Sequence, residues 1–168
     1  SNILKSAGAV LGKQTVINYV GYMMDSYMLF TLQNYAAKLV EKETSPKYYF
    51  MDTGLLGLML MDCSSAQLEN LVAIELIRRY GRENVFYFEK NVEIDFYVPE
   101  EKLAIQVSLQ VLDQIDTRER EIGAFVKLKN FIGDATCLLI TNSEEEELDY
   151  EGVHVSVVPV WKWLLQNR

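Results

Sequence analysis

Apolar residues recur at three- and four-residue steps in three long segments of the chain, which predicts amphipathic helices. In the first of these segments, Val16, Tyr19, Val20 and Met23 share one face. Shorter helices are predicted before the first segment, before the second, and after Pro159. In chain order, the six predicted helices cover residues 2–7, 13–25, 53–60, 65–80, 116–130 and the end of the chain.

Short apolar or alternating runs between these helices predict strands. Three of them follow the 65–80 helix with only brief turns between them, so we expect an antiparallel meander. Polar residues at 38–47 and the acidic stretch 142–152 indicate loops. The seven predicted strands cover 27–32, 48–52, 84–89, 93–98, 103–108, 135–141 and 153–158.

This mixture of helices and strands predicts an α/β fold. A change of pattern between residues 50 and 64 predicts a boundary, with one module at 1–60 and a second at 61–168. We find no internal repeat and no segment long and apolar enough to span a membrane, and the first residues do not resemble a secretory signal. The sequence therefore predicts a cytoplasmic location with no membrane partner.

Charge is unevenly distributed along the 168 residues. The whole chain carries a formal net charge of −8. Residues 1–50 hold five lysines against three acidic residues, a net of +2, so the remainder carries −10. This balance disfavours bulk, charge-driven coating of nucleic acid but leaves room for a local contact by the first segment.

Several common catalytic and metal sites are missing from the sequence. No glycine-rich loop ends in Gly-Lys-Ser/Thr, and neither GxSxG nor HExxH occurs. Two cysteines, Cys63 and Cys137, and one histidine, His154, disfavour structural zinc and a disulfide framework. The chain thus has no P-loop of its own with which to hydrolyse ATP.

Carboxylates form the informative pattern. Asp95 lies inside the predicted strand EIDFYV, where alternation places Glu93, Asp95 and Tyr97 on one face. An ionised group on a covered face is costly unless it is paired or bound to metal, although the same face exposed to solvent would carry no such meaning. Glu69 and Glu75 lie on the preceding helix and are candidates to join Asp95.

Four segments resemble one family. These are KYYFMDTGLLG (47–57), LENLVAIELIRR (68–79), VFYFEKNVEIDFYV (85–98) and LAIQVS (103–108). They look like the C-terminal region of a bacterial and archaeal group of AAA-type ATPases, and TVINYVGYMMDSYMLF (15–30) is similar to the winged-helix part of that region. The resemblance implies a winged-helix-like N-terminal module followed by a restriction-nuclease-like (PD-(D/E)XK) domain with a central mixed sheet flanked by helices. It also implies a partner, the ATP-binding N-terminal ATPase domain.

In an active member of that nuclease-like superfamily, the resemblance implies Mg²⁺ held by a strand aspartate and by the glutamate of a Glu-x-Lys motif on the next strand. Asp95 matches the aspartate, and Glu69 matches the accompanying helix glutamate better than Glu75 does. The third motif departs from the pattern, because Gln106 and Ser108 replace the glutamate and lysine. Glutamine removes a charge and serine removes a cation, and such electrostatic losses are severe in phosphodiester cleavage.

We therefore expect a degenerate nuclease-like domain that serves recognition or regulation without catalysis. An Mg²⁺-dependent nuclease acting on DNA or RNA, and a protein-interaction module without nucleic-acid contact, remain as alternatives. Lys90 and Lys102 are possible substitutes for the missing lysine, but both fall in predicted turns. If the first segment contacts DNA, the residues expected to do so are Lys13, Gln14, Thr15 and Asn18.

Overall fold

The computed structural model describes residues 12–37, 46–59, 64–112 and 115–166. The short helix predicted at 2–7 lies outside this part of the chain. Five α-helices occur in the described residues, and a single 3₁₀ turn, Arg82–Asn84, follows the third. In chain order, α1 to α5 are Lys13–Asp25, Gly54–Met59, Ser64–Tyr80, Ile115–Ile132 and Val160–Leu165.

Eight strands in the described residues form one mixed sheet in the order β2-β1-β3-β4-β5-β6-β8-β7. In chain order, β1 to β8 are Leu29–Asn34, Lys47–Phe50, Phe86–Glu89, Glu93–Val98, Leu103–Val107, Thr136–Thr141, Glu146–Tyr150 and Val153–Pro159.

The protein therefore has an α/β fold, as the sequence predicts. Strands β3, β4 and β5 form the expected antiparallel meander, and β5, β6 and β8 run parallel to one another. Strand β1 pairs antiparallel with β2 and parallel with β3, so one sheet runs through residues on both sides of position 60.

Helices cover both faces of the sheet. On one face, α3 packs Val72 and Leu76 against sheet residues that include Phe96, with Trp163 of α5 completing the cluster. On the other face, α4 packs Phe125 and its apolar neighbours against a second cluster. Burial on both faces explains the long apolar runs of β5 and β6, since a parallel pair is normally covered on both sides.

The acidic stretch 142–152 is the clearest difference from the predicted elements. A loop was expected there, but Glu146–Tyr150 forms β7, which pairs antiparallel with β8 at the edge of the sheet. Only Leu148 of this strand is buried. A single inward apolar residue among charged residues does not produce the alternation of apolar and polar positions that indicates a strand. Charged side chains are typical of an exposed edge strand.

Helix α1 begins and ends where the sequence predicts, but its apolar face is only partly covered in the described residues, because Val20 and Met23 are half-buried and Val16 and Tyr19 are exposed. None of its side chains is buried there, and Tyr19 and Tyr22 are 53% and 64% exposed. The helix contacts β1 at its C-terminal end, where the Met28 N–H donates to the carbonyl of Met23. Within the described chain, no helix is both long enough and apolar enough to cross a membrane.

Candidate functional site

A β-bulge in β4 determines where Asp95 lies. Phe86 of β3 is opposite Tyr97 and Phe88 is opposite Ile94, so β4 uses one more residue than β3 across this interval. Bulges re-aim side chains and interrupt strict alternation. Ile94 accordingly joins the core cluster on the Tyr97 side of the sheet, whereas alternation alone predicts the opposite face.

Asp95 and Gln106 join β4 to β5 where the regular ladder stops. The Gln106 carbonyl oxygen accepts from the Asp95 main-chain N–H at 2.9 Å, and the Gln106 amide donates to the Glu93 carbonyl at 3.1 Å. In return, the Val107 N–H donates to Asp95 Oδ2 at 2.9 Å. Gln106 is only 4% exposed, so its amide stands in for a peptide group in the interior of the sheet.

These strands form one wall of an open cleft of about 430 Å³. Three of the candidate site residues, Glu69, Asp95 and Gln106, line this cleft. Glu93 and Glu121 add two further carboxylates, and Arg120 and Lys127 of α4 contribute cations. Ser108 is not among its lining residues; its hydroxyl donates to the Gln110 carbonyl at 3.1 Å.

Glu69 reaches this cleft from α3 and is held by β2. The Tyr49 hydroxyl donates to Glu69 Oε1 at 2.9 Å, and the negative charge of Glu69 contributes, after burial, to raising the pKa of Tyr49. Glu75 is elsewhere: its carboxylate forms ion pairs with Arg78 and Arg79. The structure thus brings Glu69, and not Glu75, to Asp95.

Asp95 is unusually easy to protonate. Burial is the main cause that raises its pKa, to about 7, and the negative charges of Glu69 and Glu121 act in the same direction. The Val107 N–H and the charge of Lys47 oppose this shift. A carboxyl in a cleft with such a pKa exchanges a proton near neutral pH, which is a property of functional carboxyls as well as of some structural ones.

Lys47 is the residue of this site that sequence reasoning missed. Its ammonium lies 2.6 Å from Glu93 Oε1 and 4.0 Å from Asp95 Oδ1, and 5.2 Å from the centre of the Tyr87 ring. Burial lowers the pKa of Lys47, but the hydrogen bond to Glu93 and the charges of Asp95 and Glu69 outweigh it and leave the pKa raised. The sequence pattern assigned Lys47 to a polar loop, whereas the alternation of Lys47 and Tyr49 in KYYF was the available signal.

Asn70, also missed, holds β2 beside the cleft. This α3 residue is 2% exposed, and its side chain accepts from the Phe50 N–H at 2.7 Å and donates to the Phe50 carbonyl at 2.9 Å. Those bonds fix the strand that carries Lys47 and Tyr49. A buried Asn inside an amphipathic helix is the signal that sequence analysis could have used, because such amides need partners.

The donor set can be compared with the Mg²⁺ site that the resemblance implies. Mg²⁺ prefers oxygen ligands, and Asp95 and Glu69 supply carboxylates to the cleft. Gln106 carries no charge, and its carbonyl oxygen and its amide nitrogen both bond to the backbone of β4, so the sheet holds this side chain. The chain therefore lacks the third carboxylate of the expected set at the position where the motif carries it.

The residues expected to contact DNA lie on α1. Gln14 donates to the Asn18 side chain at 3.1 Å on an exposed surface, and Lys13 is also exposed. Thr15 is partly buried. The structure confirms the helix that carries them, and DNA contact stays a prediction.

Comparisons with known proteins point to an archaeal relative. A family model described as a domain of unknown function (DUF8612) matches residues 1–67, which include α1, β1, β2 and α2. The chain is 32% identical over 175 residues to a protein of Methanocaldococcus jannaschii described as "Uncharacterized protein MJ1544". That alignment covers 98% of the chain but 39% of the relative, so the chain spans about two fifths of the length of the curated relative it matches. No solved structure matches.

Proposed function

We propose that this chain is the carboxyl-terminal accessory part of an AAA-type ATPase, in which a nuclease-like domain serves recognition or regulation without cutting nucleic acid. The observation that carries the second half of this proposal is the position of Gln106. Its amide completes the sheet between β4 and β5, so the residue that replaces the motif glutamate has a structural role.

The order of elements supports the nuclease-like part. A glutamate on α3 is followed by an antiparallel meander with Asp95 on its middle strand, then by α4 and the parallel strand β6. This order of elements supports the nuclease-like part of the proposal. The acidic cleft between the start of β4 and the helices α3 and α4 is the site we propose for it.

Two observations bear on the ATPase and winged-helix parts. The archaeal relative is much longer than this chain, which leaves room for a separate domain in proteins of this kind. Helix α1 is followed by the antiparallel pair β1–β2, and this order is compatible with the helix and the β-hairpin wing of a winged-helix module. Because β1 also pairs with β3, the proposed winged-helix module shares the main sheet.

The experiment for the architecture uses the full-length protein. We expect a P-loop upstream of this chain and ATP hydrolysis that a substitution of the P-loop lysine abolishes. A full-length sequence without a P-loop, or a purified full-length protein that hydrolyses no ATP, would overturn the ATPase part of the proposal. Either result leaves the description of the cleft unaffected.

Lys47 favours a second candidate function, an Mg²⁺-dependent nuclease. Lys47 is not a lining residue of the cleft, but its ammonium, 4.0 Å from Asp95, places a cation beside this carboxylate. A cation held there would stabilise the negative charge that develops on a phosphate during cleavage. This candidate predicts that Lys47→Met and Asp95→Ala each abolish cleavage, whereas Lys47→Arg retains part of it.

The exposed apolar side chains of α1 favour a third candidate, a protein-interaction module. Exposed apolar side chains such as Ile17, Tyr19 and Tyr22 are typical of contact surfaces. This candidate predicts no salt-dependent affinity for duplex DNA. DNA contact through α1 instead predicts an affinity for duplex DNA that falls as the salt concentration rises. Lys13→Gln should then show a smaller salt dependence than the wild type, and Lys90→Gln should show the same salt dependence as the wild type.

A further inference from the structure

A second cleft, of about 630 Å³, lies beside the acidic one and has a different chemistry. Its lining side chains offer hydroxyl, amide and guanidinium groups, and no described lining residue is acidic. Its polar lining residues include Ser64, Ser65, Ser108, Thr117, Arg120 and Asn142.

The fold explains why these groups meet. Strands β5 and β6 are parallel and connected through α4, so both leave the sheet at the same edge. Beyond the strands, the Ser108 N–H donates to the Ile140 carbonyl at 3.0 Å and the Asn142 N–H donates to the Leu109 carbonyl at 3.3 Å. The two exits are thereby held side by side. In α/β sheets, a crevice outside the carboxyl ends of the strands is the usual place for a ligand.

The nearest acidic side chain on the β6 exit is directed elsewhere. Glu144 accepts from the Val111 N–H at 2.6 Å and from the Leu112 N–H at 3.1 Å. Its main-chain N–H donates to the Thr141 hydroxyl at 2.9 Å, which fixes the loop. The Glu144 carboxylate thus binds backbone N–H groups of the loop after β5 and holds that loop in place.

Arg120 supplies the positive charge. It lines both clefts, and its side chain is 74% exposed. Nε and Nη2 donate to Glu121 Oε1 at 3.1 and 2.6 Å. A guanidinium has five N–H donors, so this pairing leaves the Nη1 edge for a second acceptor.

We infer that this cleft binds a phosphate group, with Arg120 as the counter-charge and the Ser64 and Ser65 hydroxyls and the Asn142 amide as hydrogen-bonding groups. A planar guanidinium and neutral donors are groups that bind phosphate oxygens, and the phosphate would share Arg120 with Glu121. The inference does not depend on the proposed function, since it concerns a surface outside the acidic cleft. A strand end of a nucleic acid and a free nucleotide share this phosphate chemistry.

The test is an NMR titration of the purified chain with inorganic phosphate. We expect saturable shifts in the resonances of residues 64–65, 108–110 and 117–120. Arg120→Gln is expected to weaken phosphate binding at least about tenfold, as for the loss of a charge-assisted hydrogen bond. Arg118→Gln, on the same helix but not among the lining residues, is the matched control and is expected to bind as the wild type does.

Ser65→Asp is the second variant. Aspartate is favoured near the start of a helix, so this change preserves α3 while placing a negative charge in the cleft. We expect it to abolish phosphate shifts with an unchanged melting temperature. Unsaturable shifts in the wild type, or equal affinity in wild type, Arg120→Gln and Ser65→Asp, would overturn the inference.

Two further probes distinguish the sources of the phosphate. A 5′-phosphorylated oligonucleotide is compared with its 5′-hydroxyl counterpart, and adenosine monophosphate with adenosine. If the cleft binds the phosphorylated end of a nucleic-acid strand, the phosphorylated oligonucleotide should bind more tightly than adenosine monophosphate. If it binds a free nucleotide, adenosine monophosphate should bind more tightly than the phosphorylated oligonucleotide. Equal binding of phosphorylated and unphosphorylated forms in both pairs would contradict a phosphate site.

Discussion

Gln106 and Asp95 exchange side-chain hydrogen bonds with each other's strands: the Gln106 carbonyl accepts from the Asp95 N–H, and the Asp95 carboxylate accepts from the Val107 N–H. The pair therefore continues the β4–β5 ladder beyond its last regular pairing. This relationship gives the altered motif a structural meaning, because the glutamine that cannot serve as a third carboxylate is the residue that closes the sheet.

Restoring the motif glutamate is expected to destabilise the protein. Gln106→Glu removes the amide donor to the Glu93 carbonyl and places a second charge beside Asp95, so the free energy of unfolding should fall by about 1–3 kcal/mol. Urea denaturation at neutral pH measures this loss. Gln33→Glu, on the exposed side of β1, is the matched control and should be near neutral. Equal stability of Gln106→Glu and wild type would show that the amide bonds are not needed.

Protonation of Asp95 is expected to produce an inverted pH dependence. Its pKa of about 7 in the fold exceeds the value near 3.9 of an unfolded aspartate, so the folded state binds the extra proton. The stabilisation is complete below pH ~4 and is lost as the pH rises through about 7. Asp95→Asn should therefore gain stability over wild type by about 1.4 kcal/mol per pH unit across this interval.

Unfolding of both proteins at several pH values checks this expectation. A constant difference between Asp95→Asn and wild type from pH 4 to 8 would contradict the raised pKa.

Lys47 is expected to control the charge of the cleft. Its ammonium is one of two groups that lower the pKa of Asp95, so Lys47→Met should raise that pKa above its wild-type value. Carbon-13 NMR of the Asp95 carboxyl across a pH titration measures the change directly. Lys47→Arg should keep the pKa close to that of the wild type, and so should Lys90→Met, which alters a lysine in the β3–β4 turn. An Asp95 pKa that does not respond to Lys47→Met would contradict the contact.

Asn70 is expected to be needed for the position of β2. Asn70→Ala leaves the Phe50 N–H and carbonyl without their side-chain partner, which should reduce the free energy of unfolding by about 2–4 kcal/mol. Thermal or urea unfolding measures this loss. Asn130→Ala, on an exposed position of α4, is the control and should cost little. Similar losses in the two variants would remove the reason for assigning Asn70 this role.

Much of the fold follows from local pattern. The bounds of α1, the meander β3–β5 and the α/β class agree with apolar periodicity, because these elements are long or strongly apolar. Strand β7 was missed because its only inward apolar residue is Leu148. Pairing with β8, a tertiary effect, determines that strand.

The site was predictable in part. Glu69, Asp95 and Gln106 line one cleft as expected, since the helix and two adjacent strands carry them there. Lys47 was not predictable from the motif, because it comes from β2, which is separated from β4 in the sheet by β1 and β3 and is positioned only through the long-range pairing of β1 with β3. The role of Gln106 was not predictable either, because its hydrogen bonds to Asp95 and Glu93 come from the pairing of β4 with β5.

The central claim is that the acidic cleft is kept for structure and recognition and does not cut. Its most direct test incubates the purified protein with duplex DNA, single-stranded DNA and RNA in the presence of Mg²⁺ or Mn²⁺, with Asp95→Ala treated identically. The account predicts no metal-dependent cleavage above that of Asp95→Ala on any substrate. Cleavage by the wild type that Asp95→Ala and Lys47→Met both abolish would contradict it and establish the nuclease.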